Sequence, residues 1–254
     1  MRTYLAVTPD KLSAALKCTD RIAHVAYRIG EDGRLTRREI ASRVRGGMMV
    51  LCDDGCGEIC DVSVLCQDVW RECVMRSFGG VVADFEKQPS SDRIEFLKEL
   101  GEILRRNNRS LFVPESYGDE IKTSSVLVCT AVSGGVLQQR LEEAKCRFGN
   151  RLALDLQRLR MDFPLPCPKG EGCALDHDTF CSFMKEEPAV FFSEDLCAKY
   201  FTRVCDCQLR FVLFDDAQTL RQKMQMAQHM GIRTAFLMYP EVEDILPELY
   251  TYRG

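Results

Sequence analysis

Two acids two residues apart, Asp84 and Glu86, end the apolar run "GVVADFE" at residues 80–86. Carboxylates are rarely buried without a partner, so such a pair either marks a solvated strand end or serves a reaction. Along a strand, alternate side chains share a face. Gly80, Val82, Asp84 and Glu86 then lie together, and Val81, Ala83 and Phe85 lie opposite. Carboxylates at i and i+2 stand about 6.5–7 Å apart along the strand, where each disfavours ionisation of the other. One retained proton beside an ionised group is how a general acid is prepared. The bland reading is a pair of acids at a strand mouth, matched by Arg or Lys.

The elements around the pair decide where it would sit. Eight short β-prone runs punctuate the chain: residues 3–7, 23–29, 48–52, 80–86, 110–115, 125–131, 151–157 and 234–239. Between them fall helical patterns. "SDRIEFLKELGEILRRNN" (91–108) places Ile94, Leu97, Leu100 and Leu104 near one face, with Ser91 as the expected N-cap. "DDAQTLRQKMQMAQHMG" (215–231) starts at Asp215 or Asp216 and stops at Gly231. Strands alternating with helices predict an α/β fold, and eight units in about 250 residues fit a single (β/α)8 barrel. Residues 158 to about 209, rich in Pro, Gly and Cys, read as an excursion between the seventh and eighth strands, including a hairpin of "KYFTRV" and "LRFVLF". In a barrel the apolar set Val81, Ala83 and Phe85 packs against helices. Asp84 and Glu86 then face the C-terminal mouth, where barrel enzymes build their sites.

Composition narrows the function classes. The 254 residues carry a net charge of −4, with 34 basic and 38 acidic side chains, which gives no electrostatic footprint for nucleic acid. No apolar run approaches the length of a membrane span. No G-x-G-x-x-G or P-loop pattern occurs, so neither a nucleotide nor another cofactor is expected. The N-terminal residues lack a signal peptide's apolar centre, which predicts a cytoplasmic protein whose 14 cysteines stay as thiols. Cys52, Cys56 and Cys60 lack a C-x-x-C pair and do not match the usual iron–sulfur spacings. Cys167, Cys173, His177 and Cys181 form a zinc set by ligand type, but in a chain this rich in cysteine such clusters arise by chance, and no metal is expected.

The strand carrying the acids resembles the fourth strand of the family 18 glycoside hydrolases, chitinase-like (β/α)8 barrels, and in particular the short bacterial members related to spore and cell-wall lysins. Set on that family's D-G-x-D-x-D-x-E, the sequence keeps Gly80, Asp84 and Glu86 and has Gly79 and Val82 at the first two aspartates. The closing segment resembles the family as well, through Phe214, Asp215, Asp216, Leu220, Lys223, Ala227, Gly231, Glu243 and Asp244, and "IAHVAYRIGEDGRL" is similar to its second strand. The resemblance implies that Glu86 is the general acid and Asp84 the residue that orients the substrate's acetamido group. It departs at Ala131 and Val132, where the family has Tyr and Asp, and at Met238, where it has a Trp floor; the sole Trp, Trp70, falls on a predicted helix.

Other strand ends offer replacements: Glu115 and Tyr117, Asp155 and Gln157, and Tyr239. The expected function is substrate-assisted, retaining hydrolysis of a β-linked N-acetylhexosamine glycan of peptidoglycan or chitin type. The alternative is a catalytically inactive barrel that binds glycan or a protein partner. The likeness to spore-associated members implies spore association as a companion to the cytoplasmic expectation.

Overall fold

The computed structural model describes residues 1–38, 44–167, 170–205 and 207–251. Its fourteen strands are β1 (Arg2–Val7), β2 (Ile22–Ile29), β3 (Leu35–Arg37), β4 (Met48–Cys52), β5 (Gly80–Asp84), β6 (Ser110–Pro114), β7 (Ser125–Cys129), β8 (Leu152–Asp155), β9 (Arg160–Leu165), β10 (Cys173–Ala174), β11 (Phe191–Ser193), β12 (Ala198–Cys205), β13 (Gln208–Phe214) and β14 (Thr234–Met238). The helices are α1 (Leu12–Ala15), α2 (Val62–Met75), α3 (Ser91–Arg106), α4 (Leu137–Phe148), α5 (His177–Met184), α6 (Ala217–His229), α7 (Tyr239–Val242) and α8 (Leu246–Thr251).

Eight parallel strands close a ring in the order β1-β2-β4-β5-β6-β7-β8-β14, with β14 returning to β1. This is the (β/α)8 barrel that the alternation of elements predicts, and all eight apolar runs are its strands. The short β3 lies outside the ring, antiparallel to β2. The excursion forms a second sheet of five antiparallel strands, ordered β10-β9-β13-β12-β11, inserted between β8 and β14. Its centre is the expected hairpin, with Lys199 opposite Phe214 and Cys205 opposite Gln208.

The barrel separates two apolar layers, as the period of two along each strand requires. Ala6, Ala23, Met48, Val50, Val82, Phe112, Ala153 and Phe236 fill the interior. Leu5, Met49, Leu51, Val81, Ala83, Leu111, Val113, Val126, Val128 and Leu154 face the helices. Phe85 joins this outer layer, stacked on Phe96 of α3 at 6.4 Å. Gly80 has a specific steric reason, since a Cβ there would collide with the Ser110 carbonyl of β6. Helix α3 buries Leu97, Leu100 and Leu104 as expected, but its N-cap is Ser90 and not Ser91. For α6 the cap is Asp216, in a capping box with Thr219.

A buried ion pair fastens the excursion to the barrel. Asp215 and Lys223 are both fully buried, 2.7 Å apart. Asp215 also accepts from the Thr219 hydroxyl at 2.7 Å and from the Leu159 N–H at 3.0 Å. Lys223 donates to the Thr130 carbonyl just beyond β7, at 3.3 Å. The turn after β13, the start of α6 and the exit from β8 are thereby tied together.

Candidate active site

The C-terminal mouth of the barrel is where inward-facing side chains meet solvent. Cys52, Asp84 and Asp155 are the last residues of β4, β5 and β8, and they share the inward face of Val50, Val82 and Ala153. Asp84 is reached by solvent through the mouth but has protein on its other sides. That desolvation raises its pKa, against a hydrogen bond donated by Cys52 Sγ at 3.4 Å and with the Asp53 charge adding to the rise. Desolvation, reinforced by Asp84, pushes the Cys52 thiol up to about 12, so the thiol keeps its proton and acts as donor.

Glu86 is held by its backbone and left open at its carboxyl. Its N–H donates to Asp53 Oδ1 at 3.0 Å. Asp53 is buried and anchored by Arg93 Nε at 3.1 Å, and Arg93 in turn donates to Ser90 Oγ and the Gly57 carbonyl. One residue on, the Lys87 carbonyl accepts from Tyr117 Oη at 2.9 Å, and Lys87 Nζ reaches the Cys56 carbonyl. Among the described residues the Glu86 side chain has no hydrogen-bond or ion-pair partner, and it lines an open cavity of about 350 Å³ with Asp84, Cys52, Asp54, Arg28 and Arg38. Sequence reasoning missed Asp53 and Arg93 as the support for Glu86. The available signal was an acid immediately after a strand end, which must be paired if buried, but it was hidden inside the cysteine pattern "CDDGC".

Asp155 lies across the mouth, in register with Cys129 of β7 and Phe236 of β14. Burial raises its pKa to about 6, with Glu241 and Asp84 adding to the rise and the hydrogen bond from Gln157 Nε2, at 2.7 Å, opposing it. Gln157 and Glu241 also line a second cavity, of about 490 Å³, between the barrel and the excursion. Ala131 lies in this second cavity, and Met238 projects into the barrel interior, so neither supplies the polar or aromatic surface of the family's Tyr and Trp.

The remaining predicted residues lie elsewhere. Tyr117 is fully buried in the outer layer, edge-on to Phe85 at 5.9 Å, and supports the Glu86 segment from behind. Tyr239 is buried in the same outer layer. Glu115 turns to α4, where Arg140 Nη2 donates to it at 2.7 Å. All three follow strands as predicted, but the first turn after each strand rotates the side chain away from the mouth. Among the described residues no two cysteines are joined in a disulfide. His177 and Cys181 meet on α5 at 3.5 Å, while Cys167 bonds to the Glu171 carbonyl and Cys173 lies on β10. Among the described residues no group of three or more His, Cys, Asp or Glu could hold a metal ion, and no helix is long and apolar enough to cross a membrane.

The Asp155 environment has a measurable consequence. A carboxyl whose folded-state value lies near 6, above its ordinary 3.8, favours folding while both states hold the proton, and that contribution is lost as pH rises through about 6. Asp155→Asn should therefore stabilise the protein by roughly 1–3 kcal/mol at pH 7, with the gain vanishing near pH 4. Urea unfolding at the two pH values checks this, and an equal effect at both would contradict it.

No protein-family model and no curated protein matches the sequence; the likeness lies in the fold. The chitinase of Chromobacterium violaceum ATCC 12472 superposes with a TM-score of 0.73 at 13% identity, over 98% of this chain and 97% of that one. The spore cortex-lytic enzyme SleL of Bacillus megaterium QM B1551 gives 0.68 at 15% identity, over 93% and 70%. A family GH18 chitinase of Cycas revoluta, in a complex with allosamidin, gives 0.69 at 10% identity, over 98% of each chain. The chain thus has the barrel fold seen in the family GH18 chitinases and the spore cortex-lytic enzymes, at 10% to 15% sequence identity.

Proposed function

We propose that the protein is a glycoside hydrolase acting on a β-linked N-acetylhexosamine glycan, with Glu86 as the general acid. The observation that carries this reading is the state of Glu86: backbone fixed by Asp53, carboxyl without a partner among the described residues, beside Asp84 at the open mouth of a chitinase-type barrel. A carboxyl held this way reaches a leaving oxygen without first breaking an ion pair.

In the proposed reaction Glu86 protonates the glycosidic oxygen as the bond to the anomeric carbon breaks. The substrate's acetamido oxygen attacks that carbon from the opposite face, so a cyclic oxazolinium ion replaces a protein nucleophile. Asp84 orients the acetamido N–H and stabilises the positive charge that develops on it. Water then opens the ring, with Glu86 taking back a proton, and configuration is retained. Ala131 leaves the acetamido oxygen without the usual Tyr hydroxyl. Asp155, protonated below about pH 6, and its partner Gln157 are the polar groups at the neighbouring strand end that can hold it instead.

The proposed setting is a protein made in the cytoplasm and associated with a spore or cell wall, supported by the fold shared with spore cortex-lytic enzymes. The test compares an N-acetylated oligomer with its deacetylated form, followed by release of reducing ends. The N-acetylated one should be cleaved at least about 10²-fold faster, because only it carries the internal nucleophile whose placement supplies that much rate. Equal cleavage of both would exclude the substrate-assisted route.

A further inference from the structure

The second barrel strand contains an irregularity that re-aims its end. Val25 pairs with Val50, but Tyr27 then pairs with Leu51 and Arg28 with Cys52, so Ala26 is an extra residue in the register. Uninterrupted alternation would keep Tyr27 on the inward face of Val25. With the bulge, Tyr27 turns outward, where it is buried and donates to Glu72 Oε1 at 2.9 Å. Arg28 turns inward, level with Cys52, which is itself level with Asp84. Bulges re-aim side chains in this way beside functional sites. Across neighbouring strands about 4.8 Å apart, the backbones of Arg28 and Asp84 are separated by about 10 Å.

The same bulge holds a second arginine. The Ala26 carbonyl accepts from the Arg38 N–H at 2.8 Å, and Arg28 Nε donates to Thr36 Oγ1 at 3.3 Å. Arg28 and Arg38 both line the cavity that contains Asp84 and Glu86. Among the described residues neither makes an ion pair, although Arg34, Arg37 and Arg93 nearby each bind a carboxylate. Asp10 feels the field of Arg38 and Asp54 shares the cavity, but neither is within pairing distance. Two exposed guanidinium forks, which among the described residues form no ion pair with Asp54, Asp84 or Glu86 of the same cavity, match the planar, bidentate geometry of a carboxylate.

We infer that Arg28 and Arg38 form a subsite for a carboxylate carried by the glycan, so that the sugar chain taken by this barrel is acidic and not a neutral chitin-type polymer. This rests on the glycan reading above and names the class of substrate. The carboxylate is that of a lactyl ether on a hexosamine or of a uronic acid.

Binding of three disaccharides, measured by titration calorimetry at low salt, tests the subsite apart from catalysis. The probes are N,N′-diacetylchitobiose, N-acetylglucosaminyl-N-acetylmuramic acid and a hyaluronan-type disaccharide. At least one acidic probe should bind about 10- to 100-fold more tightly than the neutral one, the usual value of a charge-assisted pair, and the tighter of the two identifies the source. That preference should fall in Arg28→Gln and in Arg38→Gln, and should weaken in high salt. Both side chains are exposed, so unchanged thermal unfolding confirms that the variants fold. Equal affinity for all three probes, no binding of any, or a preference surviving both substitutions overturns the inference. Selective binding of an acidic probe without any cleavage would sink the hydrolase reading while leaving the subsite in place.

Discussion

Glu86→Gln should lower turnover of an N-acetylhexosamine oligomer by about 10²–10⁴, the usual contribution of a positioned general acid. The substitution preserves shape and removes only the transferable proton. It also leaves intact what holds the residue in place, because Asp53 binds the Glu86 backbone N–H and not its carboxyl. The variant should therefore fold like wild type and still bind the oligomer, with the loss confined to kcat. Asp84→Asn should be severe for a different reason, since it weakens stabilisation of the charge on the acetamido group. Burst and steady-state measurements of reducing-end release separate binding from bond cleavage. Persistent cleavage by Glu86→Gln would remove the acid from the mechanism. Oligomer binding by wild type with no cleavage would instead favour the non-catalytic barrel.

The second large effect is expected far from the acids. Lys223→Met leaves Asp215 charged and fully buried without its counter-ion, and breaking such a pair costs about 3–5 kcal/mol. Asp215→Asn alone should also destabilise, because Lys223 then retains only the Thr130 carbonyl. The double variant should lose less than the sum of the two, with a coupling above about 1 kcal/mol in a urea-unfolding cycle. Additive losses would show that Asp215 and Lys223 act independently, against the 2.7 Å contact. The damage should also extend to the cavity between barrel and excursion, because Asp215 and Thr130 fix the two chain segments that bracket it.

Much of this architecture was legible from local patterns. The eight strands are short apolar runs bounded by turn residues, and the outer set Val81, Ala83 and Phe85 was separable from Val82 and Asp84 by a period of two. Gly231 was readable as the stop of α6 because a stop needs a positive φ, here 77°, and the start was readable as Asp215 or Asp216 because a cap needs a side-chain acceptor, the structure choosing Asp216. Glu86 and Asp84 were readable because strand direction alone sends them to the C-terminal mouth.

Other features are set by contacts distant in sequence. Tyr117, Tyr239 and Glu115 come just after strand ends, where the period of two no longer applies, and packing or an arginine on another helix turns them away from the mouth. Asp53 is a support for Glu86 only because Arg93, forty residues on, reaches it. Arg28 faces the cavity because of one extra residue in the register of β2 with β4, a pairing that no pattern within β2 records. The sequence by itself determined the barrel and the strand that carries the acids, since both follow from local periodicity and polarity. Which polar groups join those acids was decided by tertiary structure, because that depends on register, bulges and ion pairs between distant segments.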